Sequence, residues 1–130
     1  MKNNMITNEL LIKKAYEAME NAYAPYSNFK VGASVLADNQ IFTGCNIENV
    51  SYGATICAER VAICNAVSAG HKRIEKIAIV SSKHDFTMPC GICRQVMTEF
   101  MDKNSVIIVT NNKEIKEFKL SELIPESFDM

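Results

Sequence analysis

Cys57-Ala58-Glu59-Arg60 and Pro89-Cys90-Gly91-Ile92-Cys93-Arg94 constrain this chain more than any other feature. Their cysteines have the spacing of a metal site, and such a site forces two distant segments of chain to meet. A Cys-x-Glu followed later by Pro-Cys-x-x-Cys supplies three thiolates for a tetrahedral ion and leaves the fourth position to water. An open position points to chemistry rather than to structure alone. Glu59 stands two residues past the first ligand, close to the metal without being needed to hold it, where a general acid or base belongs. The donor set suits Zn2+, one ion per chain.

The neighbouring residues bear on the charge of that site. Both clusters fall where helices are expected to begin, and the free amides and macrodipole of a helix N-terminus favour thiolate over thiol. Cys90 and Cys93 are one helical turn apart, which places both sulfurs on one side. Three thiolates around a divalent ion leave a net negative centre, and something must offset it. Arg60, three residues after Cys57 and so on the same helix face, is the expected donor to the sulfurs, with Arg94 a second candidate. Glu59 is expected to carry a proton between the attacking water and the substrate.

Blander readings exist for each residue. Cys90-x-x-Cys93 alone is also the pattern of a redox pair or half a structural zinc site, and a fourth ligand from Cys45 or Cys64 would close the centre. Cys64 reads instead as a buried small hydrophobe and Cys45 as a strand residue. His71, after a helix stop, and His84, in a polar loop, read as solvated surface residues without a role.

With 130 residues the chain is expected to be one domain, 1–130, with a core large enough to need no staples. A hydrophobic content of 48%, 22% charged residues and a net charge of −1 give no general attraction to nucleic acid or anionic membrane. No apolar run approaches the ~20 residues of a membrane span, and the polar start shows no signal-peptide core, so a cytoplasmic protein is expected. Five cysteines, an odd count with three at ligand spacing, favour metal over disulfide.

Periodicity sets out the elements. From Thr7 as N-cap, Leu10, Leu11, Ala15, Ala18, Met19 and Ala22 recur at helical steps, ending before Pro25. Val31 to Leu36 reads as a strand, Asp38-Asn39 as a tight turn and Ile41 to Ile47 as the antiparallel return, delivering Asn46 and Glu48 to its end. A second helix follows Cys57 and stops at Gly70. It is apolar on most faces and is expected to be buried. Ile74 to Ser81 is a central strand, Cys90 to Met101 a third helix, Ser105 to Thr110 and Glu114 to Lys119 a hairpin turned at Asn111-Asn112, and Ser121 to Ile124 a short helical turn. Hairpins are antiparallel and helix-linked strands parallel, so the sheet is mixed and five-stranded with helices on both faces.

Further motifs accompany the cysteine clusters. Ala24-Pro25-Tyr26-Ser27-Asn28-Phe29-Lys30-Val31-Gly32-Ala33, Gly44-Cys45-Asn46-Ile47-Glu48-Asn49 and Ser51-Tyr52-Gly53 precede them, and Gln95 extends the second cluster. In order and spacing this set resembles the small cytidine deaminases of pyrimidine salvage over nearly the whole chain. The resemblance implies hydrolytic deamination of cytidine and 2′-deoxycytidine with release of ammonia, a three-layer α/β/α sandwich, and a homotetramer. It implies Phe29 against the pyrimidine ring, and Asn46 and Glu48 bonded to the ribose 3′-hydroxyl. An aromatic face suits a planar base, and a buried Asn/Glu pair rejects a ligand lacking the matching hydroxyl. The resemblance also implies that neighbouring subunits complete each pocket, through Tyr52 and Phe128. One departure is Val50, where the family usually has alanine; it adds two methyl groups close to the expected pocket.

Competing readings are separable. A deaminase of a related aminopyrimidine nucleoside, of the blasticidin S type, shares the cysteine motifs, but the loop to Phe29 and the Asn46-x-Glu48 pair speak against it. A non-catalytic zinc-stabilised module would share the metal and lack turnover. A polynucleotide deaminase is disfavoured by the balanced charge and the lack of a basic stripe.

Overall fold

Thr7 opens the first helix as its side chain suggests, its Oγ1 accepting the Leu10 N–H at 3.1 Å. The computed structural model describes residues 5–130. The elements are α1 (Asn8–Met19), β1 (Val31–Ala37), β2 (Gln40–Cys45), a 3-10 turn (Tyr52–Ala54), α2 (Ala58–Ser68), β3 (Lys76–Ser81), α3 (Gly91–Phe100), β4 (Val106–Thr110), β5 (Ile115–Lys119) and α4 (Leu120–Leu123). Each element expected from periodicity is present, with ends displaced by a few residues. α1 stops at Met19 rather than running to Ala22.

The strands form one sheet in the order β2-β1-β3-β4-β5. β3 and β4 pair in parallel and the other pairings are antiparallel. Asp38 and Asn39, at φ 50° and 60°, turn the β1–β2 hairpin, since a two-residue turn matching strand twist needs positive φ at both positions. β1 is buried along its whole length because it lies between β2 and β3 with helices over both faces.

Alternation along the strands divides the core in two. Leu11 of α1 packs with Leu36, Ala78 and Ile108 on one face, and Ala15 and Met19 pack with Val80 on the same side. Ala58, Ala62, Ile63 and Ala66 of α2 and Cys93 and Met97 of α3 meet Ala33, Val35, Ile77, Ile79, Ile107 and Val109 on the other. The result is a three-layer α/β/α sandwich.

Two glycines set how closely the helices approach. A Cβ on Gly32 would lie 2.0 Å from the Ala15 carbonyl oxygen of α1, and one on Gly44 would lie 2.4 Å from the Ala62 nitrogen of α2. Gly44 thereby lets the helix that begins at Cys57 rest directly on β2.

The expectation of a fully buried α2 is corrected. Cys64, Asn65 and Ser68 are exposed, because only the stripe through Ala58, Ala62, Ile63 and Ala66 faces the sheet. Cys64 is therefore not the buried hydrophobe that its position among apolar residues suggests. His71 also differs from a freely solvated residue. Its Nδ1 lies 2.6 Å from Asp38 Oδ2 and its ring packs on Phe42, so it fastens the end of α2 to the β1–β2 turn. His84 is exposed, as expected. Among the described residues, no helix is long and apolar enough to cross a membrane.

Candidate active site

β2 and β3 each run antiparallel to β1 and so point the same way, which sends the connections from them into α2 and α3 to the same end of the sheet, and the cysteines meet there. Cys57 is the N-cap of α2 and Cys90 the N-cap of α3, and neither side chain caps its own helix. The sulfurs point toward each other instead. Cys57 Sγ and Cys90 Sγ are 3.8 Å apart, and all three sulfurs lie within 4.8 Å of one another. Thiolates bound at about 2.3 Å in a tetrahedron stand about 3.8 Å apart, so this trio fits a zinc ion without rearranging the backbone. Cys45, half-buried at the end of β2, and the exposed Cys64 lie outside this cluster, which has no fourth cysteine.

Cys57 and Cys93 do not hold their protons alike. A hydrogen bond from Cys93 and, after it, the Arg60 guanidinium bring Cys57 down to about 5, while Cys93 is pushed up by its bond to Cys57 and by burial. Arg60 Nη2 donates to Cys57 Sγ at 3.5 Å, and the interaction raises the arginine above its ordinary value. The expected arginine thus sits beside the sulfurs. Its Nε is buried with no protein acceptor. Arg94 is a correction: its Nε donates to the Pro89 carbonyl and its Nη1 to the Leu123 carbonyl, both at 2.8 Å, and no bond reaches a sulfur.

Glu59 is only 4% exposed, in the first turn of α2. Burial, with the Cys57 charge nearby, lifts its carboxyl to about 7. A carboxyl poised there changes state readily near neutral pH, as a proton carrier must.

Of the expected substrate residues, Phe29 lies just before β1 and Asn46 and Glu48 just after β2, so the hairpin brings them side by side. Phe29 is half-buried against the main core, with Lys83 Nζ 5.1 Å from its ring centroid. Asn46 pairs with Val31 just past the end of β2, but with its side chain in place of its carbonyl: Val31 N–H donates to Oδ1 at 2.9 Å and Nδ2 donates to the Phe29 carbonyl at 2.8 Å. Its own carbonyl is thereby free to accept the Tyr23 N–H at 3.0 Å. Glu48 accepts the Tyr26 and Ser27 N–H groups at 2.9 and 3.1 Å and the Ser27 hydroxyl, and that hydroxyl bond foremost holds its carboxyl below the usual range. Both side chains brace the loop to Phe29. Ser27 carries part of this architecture and was not marked by sequence reasoning; its place in the Pro25-Tyr26-Ser27 turn is the signal that could have found it.

Tyr52 and Phe128 are both largely exposed. Tyr52 is 76% exposed, its ring edge-on to Tyr26 at 6.1 Å, and it lines an open cleft with Tyr26, Ser27, Glu48 and Thr55. Phe128 is 71% exposed on a tail held by a 3.3 Å bond from Gln95 Nε2 to its carbonyl. Val50 is 79% exposed, so its methyl groups fill no space inside the chain itself.

Residues 5–110 match the family model described as the cytidine and deoxycytidylate deaminase zinc-binding region. The chain belongs to the cytidine deaminase family. It is 44% identical over 122 residues to a cytidine deaminase of Halalkalibacterium halodurans, covering 92% of each chain. Its fold superposes on the crystal structure of cytidine deaminase from Burkholderia pseudomallei with a TM-score of 0.90 and 42% identity, covering 95% of this chain and 100% of that one. The corresponding values for cytidine deaminase from Mycobacterium tuberculosis are 0.87 and 38%, covering 97% and 100%. Membership makes this chain a zinc-dependent hydrolytic deaminase, and the sulfur trio at the ends of two deaminase-fold helices is where its metal fits.

Proposed function

We propose that this chain deaminates cytidine and 2′-deoxycytidine to uridine and 2′-deoxyuridine, a pyrimidine salvage reaction in the cytoplasm, where three thiols stay reduced. The carrying observation is the convergence of three sulfurs within 4.8 Å beside a buried Glu59. In the reaction, the oxygen of water replaces the amino group at C4 of the ring and ammonia leaves. Cys57, Cys90 and Cys93 would hold the zinc ion, which would supply the Lewis acidity that makes water nucleophilic near neutral pH.

The chain's own residues do the rest. Glu59 takes the proton that water gives up and delivers it to the departing nitrogen, a task suited to a carboxyl held at about 7. Arg60 offsets the negative charge of the sulfurs through its contact with Cys57. Phe29 offers its face to the base. Asn46 and Glu48 bond the ribose 3′-hydroxyl with the capacity their bracing bonds leave over: one lone pair and one N–H on the amide, and the remaining lone pairs of the carboxylate. A homotetramer completes the account. Tyr52 and Phe128, both exposed within a single chain, reach the pocket of a neighbouring subunit.

The test is the ultraviolet absorbance of cytidine, deoxycytidine and adenosine mixed separately with zinc-loaded and chelator-treated protein. Metal-dependent loss of the cytosine band with adenosine untouched is expected. An unchanged band on both cytosine nucleosides, with zinc bound, would overturn the assignment.

A further inference from the structure

Arg94 is a cation beside the site that the chemistry above does not use, yet two side-chain hydrogen bonds hold it. It follows Cys93 directly in α3 and spans two separate segments. Its Nε reaches back to the carbonyl of Pro89, the fully buried residue that delivers Cys90. Its Nη1 reaches the carbonyl of Leu123, the last residue of the four-residue α4, from which the tail to Phe128 departs. Both bonds are 2.8 Å long and part-buried. Gln95, the next residue, adds the bond to the Phe128 carbonyl.

Among the described residues, no salt bridge involves Arg94. The acceptors are two backbone carbonyls met by separate nitrogens of one planar, rigid guanidinium, whereas an ammonium offers all its donors from a single atom on a flexible stem and holds such a pair less firmly. The Leu123 carbonyl is moreover one of the orphan acceptors at a helix C-terminus, which need a partner from outside the helix. One side chain thus sets both the turn that presents Cys90 and the point where the C-terminal tail leaves the fold.

We propose that Arg94 is a positioning residue that couples the Cys90 turn to the C-terminal tail, so that the metal-binding helix and the Phe128 segment are held as one unit. The consequence for substrate rests on the reading that Phe128 enters a neighbouring pocket; the tether itself does not.

Arg94→Lys keeps the charge and removes the fork. In zinc-loaded protein, hydrogen exchange of the 120–130 segment is expected to speed up roughly tenfold, as loss of a charge-assisted hydrogen bond allows, with faster zinc transfer to a chelator. The KM for cytidine is expected to rise while kcat changes little. Deletion of residues 126–130 should itself raise KM, and Arg94→Lys should add no further rise in that background, because the two changes act through the same tail. Exchange and zinc release both unchanged in Arg94→Lys would overturn the proposal. Should that variant not fold, the unsubstituted protein decides: the Arg94 Nε–H resonance is expected to exchange slowly with solvent, and free exchange would overturn the tether. If Phe128→Ala leaves KM unchanged while Arg94→Lys still loosens the tail, the shared-pocket reading fails and the tether stands.

Discussion

Asn46→Ala separates a residue that braces the site from one that only touches substrate. Asn46 is 8% exposed, and its amide serves the Val31 N–H at 2.9 Å and the Phe29 carbonyl at 2.8 Å. Truncation leaves the Val31 amide without its acceptor, which costs about 1–3 kcal/mol for a buried donor, and loses the bond to Phe29, about 1 kcal/mol. Together these come to roughly 3 kcal/mol, or a fall in Tm of about 10 °C for a domain of this size. Asn46→Asp keeps the acceptor for Val31 but sets an oxygen against the Phe29 carbonyl, so part of the loss should remain. Thermal unfolding at one fixed protein concentration measures this, since assembly makes Tm depend on concentration. Because Phe29 loses its anchor, KM for cytidine should rise in the same variants. A Tm within about 2 °C of the parent, with KM raised all the same, would refute the bracing role and leave Asn46 as a substrate contact alone.

Other perturbations test neighbouring steps. Cys90→Ala leaves two thiolates and should abolish stoichiometric zinc; full zinc content by atomic absorption would contradict the ligand set. Arg60→Gln removes one of the groups that, after the Cys93 hydrogen bond, hold Cys57 at about 5. The Cys57 thiol then rises, metal must displace a proton at mildly acidic pH, and the midpoint of zinc loss on acidification should move to higher pH; an unmoved midpoint would count against Arg60. Gly44→Ala places a Cβ 2.4 Å from the Ala62 nitrogen and should destabilise by about 3 kcal/mol through displacement of α2, visible as a lower urea midpoint.

What could be read in advance follows the range of the interactions. The hairpin at Asp38-Asn39 and the Cys90-x-x-Cys93 pair are encoded within a few residues each, by turn chemistry and by one-turn spacing, and the structure has the turn there and brings Cys90 and Cys93 together with Cys57 in a cluster able to hold a metal. Arg60 belongs with them because three residues on a helix suffice to place it by Cys57. Arg94, the weaker candidate for the same task, instead has as partners the Pro89 carbonyl and a carbonyl 29 residues away, and backbone carbonyls carry no sequence label. Cys64 was misjudged for a similar reason. Its neighbours are apolar, while its burial depends on which stripe of α2 meets the sheet. The double use of Asn46 follows from β2 ending at Cys45, two residues short of the expected Ile47, so that the Asn46 side chain continues the ladder.

Zinc content and turnover of Glu59→Gln, measured on the same preparation, test the central claim most directly. A buried carboxyl that carries protons and does not bind the metal can be replaced by its amide with the fold intact. One zinc per chain, with the cytosine band of cytidine unchanged over hours, is the predicted result. Loss of zinc would make Glu59 a ligand, and turnover near the parent rate would remove it from the reaction; either would contradict the account.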